Sequence, residues 1–279
     1  TSLAFPAGRG RKVDGGYLVS GRWPLSSGVD NSEWNMLATT IREAPDGPPV
    51  DHRFVLLHRS QYAIIDTWHA MGLCGTGSKD VAADELFVPD YRTVSVTAFT
   101  GGPHPGLAVN KGPLFRLPML ALGPFVLAGM LLGTARGAYD ITVGAARQRA
   151  ATNTGLPMSG FQAVQLKVAE TAAQIDTAAL IMAHHCRHAS EVARAGLAPK
   201  LEDKLRYRRD GAYASQLCFR AVDTLQGISG SSGIYNNSLM QRFFRDAHAA
   251  AAHVMFSFDL QGILFGQHAL GAAGSPPML

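Results

Sequence analysis

Two periods of hydrophobic residues divide the chain. From residue 12 to about residue 95, apolar residues alternate with polar or small ones in short segments bounded by Gly, Pro, Asp or Ser, which is typical of strands joined by tight turns. The sequence Asp14-Gly15-Gly16 indicates a hairpin turn. The predicted strands cover residues 17–23, 34–41, 52–58, 62–68 and 81–88. We therefore predict an antiparallel β-domain.

After a segment rich in Pro and Gly, the apolar residues take up helical spacing. Helices are predicted over residues 120–153, 160–195, 200–226 and 236–252, with a shorter one after Phe258. Long helices rich in Ala and Leu usually pack as an up-and-down bundle. The sequence thus predicts an α+β fold with a β-domain at residues 1–100, a linker at residues 101–118 and a four-helix bundle at residues 119–279.

Composition supports a soluble globular protein. The chain has 279 residues, of which 47% are hydrophobic and 16% charged, enough for a sizeable core. The formal charge is +4 and the basic residues are dispersed, so nucleic acid is not an expected partner.

The apolar run at residues 117–132 contains Pro118 and Pro124 and is shorter than a membrane span of about 20 residues. We interpret it as a loop that enters a buried helix, and we expect no membrane association.

The cysteines indicate a reducing compartment. Cys74, Cys186 and Cys218 are an odd number and lack the CxxC spacing of many metal or redox sites, so neither a disulfide framework nor a zinc site is expected. A cytoplasmic location fits this usage.

Four stretches combine glycines with hydroxyl or charged residues in patterns that suit a ligand site. They are Trp23-Pro24-Leu25-Ser26-Ser27-Gly28; Gly72-Leu73-Cys74-Gly75-Thr76-Gly77-Ser78; Gly133-Thr134-Ala135-Arg136-Gly137 with Arg147-Gln148-Arg149; and Gly227, Gly230 and Gly233 followed by Arg245-Asp246-Ala247-His248 and His253-Val254. The three glycines of the fourth stretch follow a predicted helix instead of a strand, so they do not form a dinucleotide fingerprint. A nicotinamide site is therefore not expected.

Through these stretches nearly the whole chain resembles the acyl-CoA dehydrogenase superfamily. In its dehydrogenases, a glutamate that removes a substrate proton stands nine residues after the arginine of the Arg-Asp pair. Val254 occupies that position here, and an alkyl side chain cannot accept a proton. The sequence is more similar to the two-component flavin-dependent monooxygenases, the branch that contains p-hydroxyphenylacetate hydroxylase, the steroid-phenol hydroxylases and dibenzothiophene monooxygenase. Their motifs Trp-x-x-Ser-Ser-Gly and Arg-Asp-Ala-His are present, as is their following histidine, here His253.

The resemblance implies a reaction. A separate reductase would supply reduced FMN or FAD, molecular oxygen would add at flavin C4a, and the hydroperoxyflavin would hydroxylate an aromatic or other electron-rich small molecule. Ser26 and His253 are the implied catalytic residues: Ser26 would face flavin N5, and His253 would stabilise the distal oxygen or accept a phenol proton. A homotetramer is also expected, by analogy with the fold.

The resemblance also implies which residues bind the ligands. The expected flavin contacts are Ser26, Ser27, Thr76, Ser78, Arg149, Gly230 and Gly233. His248 is the second histidine candidate, toward the substrate, and no metal is expected.

Each of these assignments has a plain structural alternative. The serines and glycines could form ordinary turns, Arg149 could make a surface ion pair, and His253 could be a satisfied core or interface histidine. His184 and His188 share a helix face but lack further ligands, so we interpret them as structural. Arg245 and Asp246 are expected to form a structural ion pair.

The sequence departs from the family in places that bear on function. Cys74 replaces the usual arginine, Thr152-Asn153 replaces a Phe-Gly pair, and Asn31 stands where several hydroxylases have histidine. The resemblance begins inside the middle β-domain, and the N-terminal helical domain of the family is not represented. Because the sequence starts at Thr1, we expect its start to reflect processing or a fragment boundary. Two other functions remain open: an acyl-CoA dehydrogenase with a relocated base, and a non-catalytic flavoprotein subunit.

Overall fold

A computed structural model describes residues 7–44 and 46–272 of the chain. Its internal contacts separate two compact units. The β unit comprises the described residues up to Ala70 together with Cys74–Ala98, and the helical unit comprises Met71–Leu73 and the described residues from Phe99 onward. Each unit has its own hydrophobic core.

The β unit is one seven-stranded sheet. Its strands are β1 (Gly8–Val13), β2 (Gly16–Ser26), β3 (Trp34–Arg42), β4 (Pro49–His58), β5 (Ala63–Ile65), β6 (Lys79–Pro89) and β7 (Thr93–Ser95). They lie side by side in the order β5-β6-β2-β1-β3-β4-β7. All neighbouring pairs are antiparallel except β1 and β3, which are parallel. The predicted α+β class is confirmed, whereas the sheet is mixed and not purely antiparallel.

The parallel pair arises from a strand that the sequence pattern did not reveal. β1 has the sequence Gly-Arg-Gly-Arg-Lys-Val, which lacks the alternation of apolar residues, and it lies between β2 and β3. Close packing explains its first glycine, because a Cβ on Gly8 would lie 2.5 Å from the indole of Trp23. Trp23 is fully buried and donates a 2.6 Å hydrogen bond from Nε1 to the carbonyl of Ala38 on β3. This hydrogen bond holds the last part of β2, which ends at Ser26 and is followed by Ser27.

The helical unit contains five helices. They are α1 (Met119–Gln148), α2 (Gln162–Arg194), α3 (Leu201–Ser229), α4 (Leu239–Ala251) and α5 (Phe258–Ala269). The helical predictions were correct within a few residues, except that α1 ends at Gln148 because Arg149 takes an extended conformation, with φ −95° and ψ 146°. α3 packs against the other four helices, and its buried residues include Leu217, Val222 and Leu225.

α1 and α3 approach each other closely at Pro124 and Gly211. A Cβ on Gly211 of α3 would lie 2.5 Å from Cβ of Pro124, which sits inside α1. Pro124 itself is buried. Among the helices described, α1 is long and apolar enough to cross a membrane by length and composition, a property that core helices of soluble proteins share.

We predict opposite effects for two glycine-to-alanine substitutions in this helix pair. Gly129→Ala on α1 meets no atom within 4 Å and should raise the free energy of unfolding by about 1 kcal/mol, because alanine favours helix. Gly211→Ala should lower it by roughly 1–3 kcal/mol, since the new methyl group overlaps the rigid ring of Pro124. Urea unfolding of both variants checks this. Equal stabilisation by the two changes would contradict the packing described for Gly211.

Candidate functional site

The end of β2 presents one of the two predicted serines and encloses the other. The pairing of β2 with β6 shifts register between Trp23 and Ser26, and Leu25 has a positive φ of 60°. Ser26 is fully buried, and its hydroxyl accepts a 2.7 Å hydrogen bond from Nδ2 of Asn35. Ser27 is exposed. We therefore correct the assignment: Ser26 supports the turn from within, and Ser27 is the serine that a ligand can reach in this conformation.

Three predicted flavin-binding hydroxyls meet in the β unit. Oγ of Ser78 lies 2.8 Å from Oγ of Ser27 and 2.7 Å from Oγ1 of Thr76. The amide of Gly28 donates a 2.7 Å hydrogen bond to the carbonyl of Thr76, which joins the two loops. These contacts bring together residues about 50 positions apart, as the resemblance implied. The cluster of Ser27, Thr76 and Ser78 is called the hydroxyl cluster below.

An ion pair beside the hydroxyl cluster was not anticipated from the sequence. Nζ of Lys79 lies 3.1 Å from Oδ2 of Asp30 and 3.6 Å from Oδ1 of Asp66. The hydrogen bond to Asp30 raises the pKa of Lys79. The only sequence signal was the position of Asp30, two residues after the Ser-Ser-Gly turn. Two carboxylates therefore neutralise the ammonium of Lys79, and this side of the cluster has no excess of positive charge.

The helical unit brings together three further predicted flavin contacts. Nη1 of Arg149 donates to the carbonyl of Ser229 at 3.2 Å and to Oγ of Ser232 at 2.7 Å. Gly230 ends α3 with φ 58°, a conformation that glycine adopts without strain. A Cβ on Gly233 would lie 2.9 Å from Cβ of Ser229, so only glycine fits without a shift. Arg149 thus lies at the negative end of the α3 dipole, a stabilising position for a cation.

No described carboxylate pairs with Arg149, which excludes the predicted alternative of a surface ion pair within residues 7–44 and 46–272. The interaction with α3 is itself structural. A guanidinium has five N–H donors, and the two recorded hydrogen bonds use one nitrogen. The remaining donors leave room for a second role.

His253 caps a turn instead of belonging to a helix. α4 ends at Ala251, and His253 is the N-cap of a short 3-10 turn, Val254–Phe256. Nδ1 of His253 accepts a 3.2 Å hydrogen bond from the amide of Met255. The ring lies 5.6 Å from that of Phe256, which is buried in the core of the helical unit. The side chain of Val254 is exposed.

These contacts determine the charge and tautomer of His253. The residue is exposed as a whole, yet its ring is shielded enough that desolvation lowers the pKa of His253. A neutral imidazole carries one proton, and Nδ1 is already an acceptor. The proton therefore resides on Nε2, which makes His253 a neutral hydrogen-bond donor at that atom.

His248 faces the helical unit. Its Nε2 lies 3.3 Å from Oδ1 of Asp223 on α3, and its ring centroid lies 4.0 Å from that of Phe244, with the two rings tilted by 37°. Burial raises the pKa of Asp223, an effect that His248 opposes. Nδ1 of His248 is buried and finds no partner among the described residues. With Nε2 directed to Asp223, the geometry gives no support to the predicted contact between His248 and a substrate.

Arg245 and Asp246 are structural, as expected, but they do not pair with each other. Arg245 donates to the carbonyl of Met71, and Oδ1 of Asp246 accepts a 2.6 Å hydrogen bond from the amide of Leu73. The approach is close, because a Cβ on Gly72 would lie 2.2 Å from the carbonyl oxygen of Arg245. The Arg-Asp motif therefore fastens Met71–Leu73 to α4.

The histidines of α2 take part in other contacts. Nε2 of His185 lies 2.7 Å from Oδ2 of Asp210, and Nδ1 of His188 lies 2.7 Å from the hydroxyl of Tyr207. Burial raises the pKa of Tyr207 to about 12, so this hydroxyl stays protonated. Within the described residues, no group of three His, Cys, Asp or Glu side chains could hold a metal ion.

A groove of about 380 Å³ opens on the β unit away from these residues. Its charged lining consists of three arginines and three acids: Arg9, Arg11, Arg42, Glu43, Asp46 and Glu85. The formal charges cancel, so the groove has no preference for an anion. It contains none of the predicted site residues.

Three comparisons relate the chain to known proteins. Residues 125–258 match the family model described as acyl-CoA dehydrogenase, C-terminal domain. The FADH(2)-dependent resorcinol hydroxylase, oxygenase component, of Rhizobium sp. (strain MTP-10005) is 36% identical over 276 residues, which are 95% of this chain and 67% of the relative.

Two solved structures extend the similarity to three dimensions. The 3-HSA hydroxylase from Rhodococcus sp. RHA1 superposes with a TM-score of 0.90 at 32% identity and covers 100% of this chain and 71% of that one. XiaF from Streptomyces sp., in complex with FADH2 and glycerol, gives a TM-score of 0.87 at 27% identity and covers 100% and 70%.

We predict that His253 makes stability depend on pH. Because burial lowers its pKa from about 6.5, the unfolded chain binds this proton more readily than the folded chain. The contribution is present above the unfolded pKa and is lost as the pH falls below it. His253→Asn keeps an N-cap but cannot titrate. Urea unfolding between about pH 8 and about pH 5 should show a shallower loss of stability for the variant. Parallel curves for the two proteins would contradict this.

Proposed function

The chain belongs to the flavin-dependent monooxygenases that are built on the acyl-CoA dehydrogenase fold, and we propose that it hydroxylates a small aromatic molecule with reduced flavin from a separate reductase. The observation that carries the proposal concerns the 3-10 turn after α4, Val254–Phe256, and its N-cap residue His253. There, His253 is a neutral donor at Nε2, and the next residue, Val254, cannot remove a proton. This combination suits oxygen transfer and does not suit dehydrogenation of an acyl-CoA.

Both units contain groups that fit a flavin nucleotide. The hydroxyl cluster of the β unit offers exposed Ser27 as a hydrogen-bonding group. The helical unit offers Arg149, whose always-charged fork matches a phosphate, beside the glycine turn at Gly230. Reduced FAD is the first candidate, because the similar protein XiaF was solved in complex with FADH2. The similar resorcinol hydroxylase is also FADH(2)-dependent. Reduced FMN is the alternative.

His253 is proposed to act by donating a hydrogen bond. Reduced flavin, when bound, supplies the electrons with which molecular oxygen is activated. A donor aimed at an oxygen that becomes negative stabilises the transition state without reorganisation. Nε2 of His253 is such a donor, whereas proton removal from a phenol would require the other tautomer and the loss of the hydrogen bond from Met255. Stabilisation of oxygen is therefore the proposed role.

The substrate class and the assembly are also part of the proposal. The resorcinol hydroxylase and the 3-HSA hydroxylase support a phenolic or related aromatic substrate. Large apolar side chains at the surface of α1 and α2, among them Val126, Leu166 and Leu180, support a homotetramer. The term oxygenase component supports a reductase partner. A cytoplasmic location, without membrane or nucleic acid partners, remains our prediction.

We predict that Arg149 contributes to flavin binding. Arg149→Met should raise the dissociation constant for reduced FAD roughly 10- to 100-fold, because a charge-assisted hydrogen bond contributes about 1.5–3 kcal/mol. Arg147→Met is the matched control, since Arg147 is exposed in the last turn of the same helix. Anaerobic titration followed by fluorescence measures both constants. If the dissociation constant for reduced FAD is unchanged in Arg149→Met, the role of Arg149 is only to cap the C-terminal end of α3.

Hydroxylation itself is tested with chemically reduced FAD, which removes the need for a reductase. Resorcinol and p-hydroxyphenylacetate should yield hydroxylated product in proportion to the oxygen consumed. His253→Asn should lower the product formed per oxygen roughly 100-fold, because the shorter side chain, with its oxygen on the Met255 amide, cannot place a donor at the position of Nε2. His268→Asn, at the exposed end of α5, is the control.

The alternative functions give different results in this experiment. Oxygen consumption without product from a panel of phenols would overturn the proposal. Reduction of oxidised FAD by an acyl-CoA would instead indicate a dehydrogenase. Binding of flavin with neither hydroxylation of a phenol nor reduction by an acyl-CoA would favour a non-catalytic flavoprotein subunit.

A further inference from the structure

A chain of buried polar contacts reaches the turn that carries His253. Gln261, on α5, is almost fully buried at 2% exposure. Its Nε2 donates a 3.3 Å hydrogen bond to the carbonyl of Val254, and its Oε1 accepts a 3.0 Å hydrogen bond from Nε of Arg208 on α3. Nη1 of Arg208 donates at 2.9 Å to the carbonyl of Leu120, in the first turn of α1. Three helices thus connect to one carbonyl of the turn.

Arg208 occupies this position at an energetic cost. Burial lowers the pKa of its guanidinium, and no carboxylate of the described residues lies within ion-pair distance of it. A half-buried charge that is held only by a carbonyl and an amide is expensive to keep. Such a group is retained where it fixes a geometry that apolar packing cannot fix.

The turn is closed by three backbone hydrogen bonds, in which the amides of His253, Phe256 and Ser257 donate to the carbonyls of Ala250, His253 and Val254 at 2.9, 2.9 and 3.3 Å. Phe256 packs into the core, where its ring meets that of Phe219, and Met255 lies against Gly123 of α1. Both are apolar contacts without a preferred direction. The carbonyl of Val254 accepts two hydrogen bonds, one from the amide of Ser257 and one from Nε2 of Gln261, and the second is the side-chain contact that ties the turn to α5. The orientation of this carbonyl sets the following amide, that of Met255, which donates to Nδ1 of His253.

We infer that Arg208 and Gln261 are positioning residues for His253, which act through the Val254 carbonyl and the Met255 amide to keep the proton of the imidazole on Nε2. The inference rests on the proposed function of His253 in oxygen transfer. It adds two residues outside the sequence motifs, Arg208 on α3 and Gln261 on α5, that control whether the donor at Nε2 is present. Neither residue needs to contact flavin or substrate.

Two substitutions at residue 261 separate positioning from folding. Gln261→Glu keeps an acceptor for Arg208 and strengthens it with a charge, but it cannot donate to the Val254 carbonyl. Gln261→Met removes both contacts at similar volume. Gln165→Met is the matched control, because Nε2 of Gln165 also donates to a turn carbonyl, that of Ser159 at 2.9 Å, in another part of the helical unit.

The first measurement is the tautomer of His253 by nitrogen-15 NMR of the flavin-free protein. The wild type and Gln165→Met should show the proton on Nε2, whereas both variants of Gln261 should show a mixture of tautomers. Gln261→Glu should do so while its unfolding midpoint stays near that of the wild type. A wild-type tautomer in both folded variants of Gln261 would overturn the inference, and this result does not depend on whether the protein is an oxygenase.

The second measurement is a double-mutant cycle on product formed per oxygen consumed. Gln261→Glu alone should lower this ratio by up to roughly 100-fold, as expected for a misplaced catalytic group. In the His253→Asn background the same change should alter the ratio by less than about twofold, because there is no imidazole left to position. Equal losses in both backgrounds would overturn the inference and assign Gln261 a general structural role. If His253→Asn by itself leaves the product formed per oxygen consumed unchanged, the proposed function of His253 is contradicted.

Discussion

The hydrogen bond from the Met255 amide to Nδ1 of His253 determines what the turn after α4 can do. A neutral imidazole is both a donor and an acceptor, and without a fixed partner either nitrogen can carry the proton. Here the backbone occupies the acceptor, so the donor points outward. The lowered pKa of His253 has the same consequence, because it keeps the ring neutral. Side chains of α3 and α5 and a carbonyl of α1 are connected to this turn by hydrogen bonds, and we propose that they influence the reaction through the Met255 amide.

Helical parts of the fold were predictable because their signal is local and repeated. Residues at helical spacing gave α1 to α4 within a few positions, and the end of α1 moved only because Arg149 turns away to meet α3. β1 was not predictable in this way. Its glycines and basic residues carry no apolar period, and its place in the sheet depends on Trp23, a residue of another strand.

The site was predictable to the level of motifs and not to the level of atoms. The resemblance named Ser27, Thr76 and Ser78 as flavin contacts, and the structure places these three residues together, as it does Arg149 and the turn at Gly230. Their contact with flavin stays a prediction. The resemblance could not distinguish Ser26 from Ser27, because a positive φ at Leu25 breaks the alternation of the strand and decides which serine faces inward. Arg208 and Gln261 belong to no motif. Their only signal was a long polar side chain on the inner face of a helix, which a sequence cannot show before the faces are known.

The Arg-Asp motif shows how a resemblance in sequence can identify a fold more securely than a reaction. Arg245 and Asp246 both bind the backbone of Met71–Leu73, and His248 faces Asp223, so the most recognisable residues of the motif are occupied within the helical unit. The proposed catalytic residue, His253, lies just beyond them, where α4 has ended and a short 3-10 turn begins. At that point one position decides between a proton acceptor and an alkyl group, here Val254, and the adjacent histidine is held by contacts from elsewhere in the chain. A common framework can therefore serve two reactions, because the residues that build the framework and those that select the reaction are different and sit on different kinds of backbone.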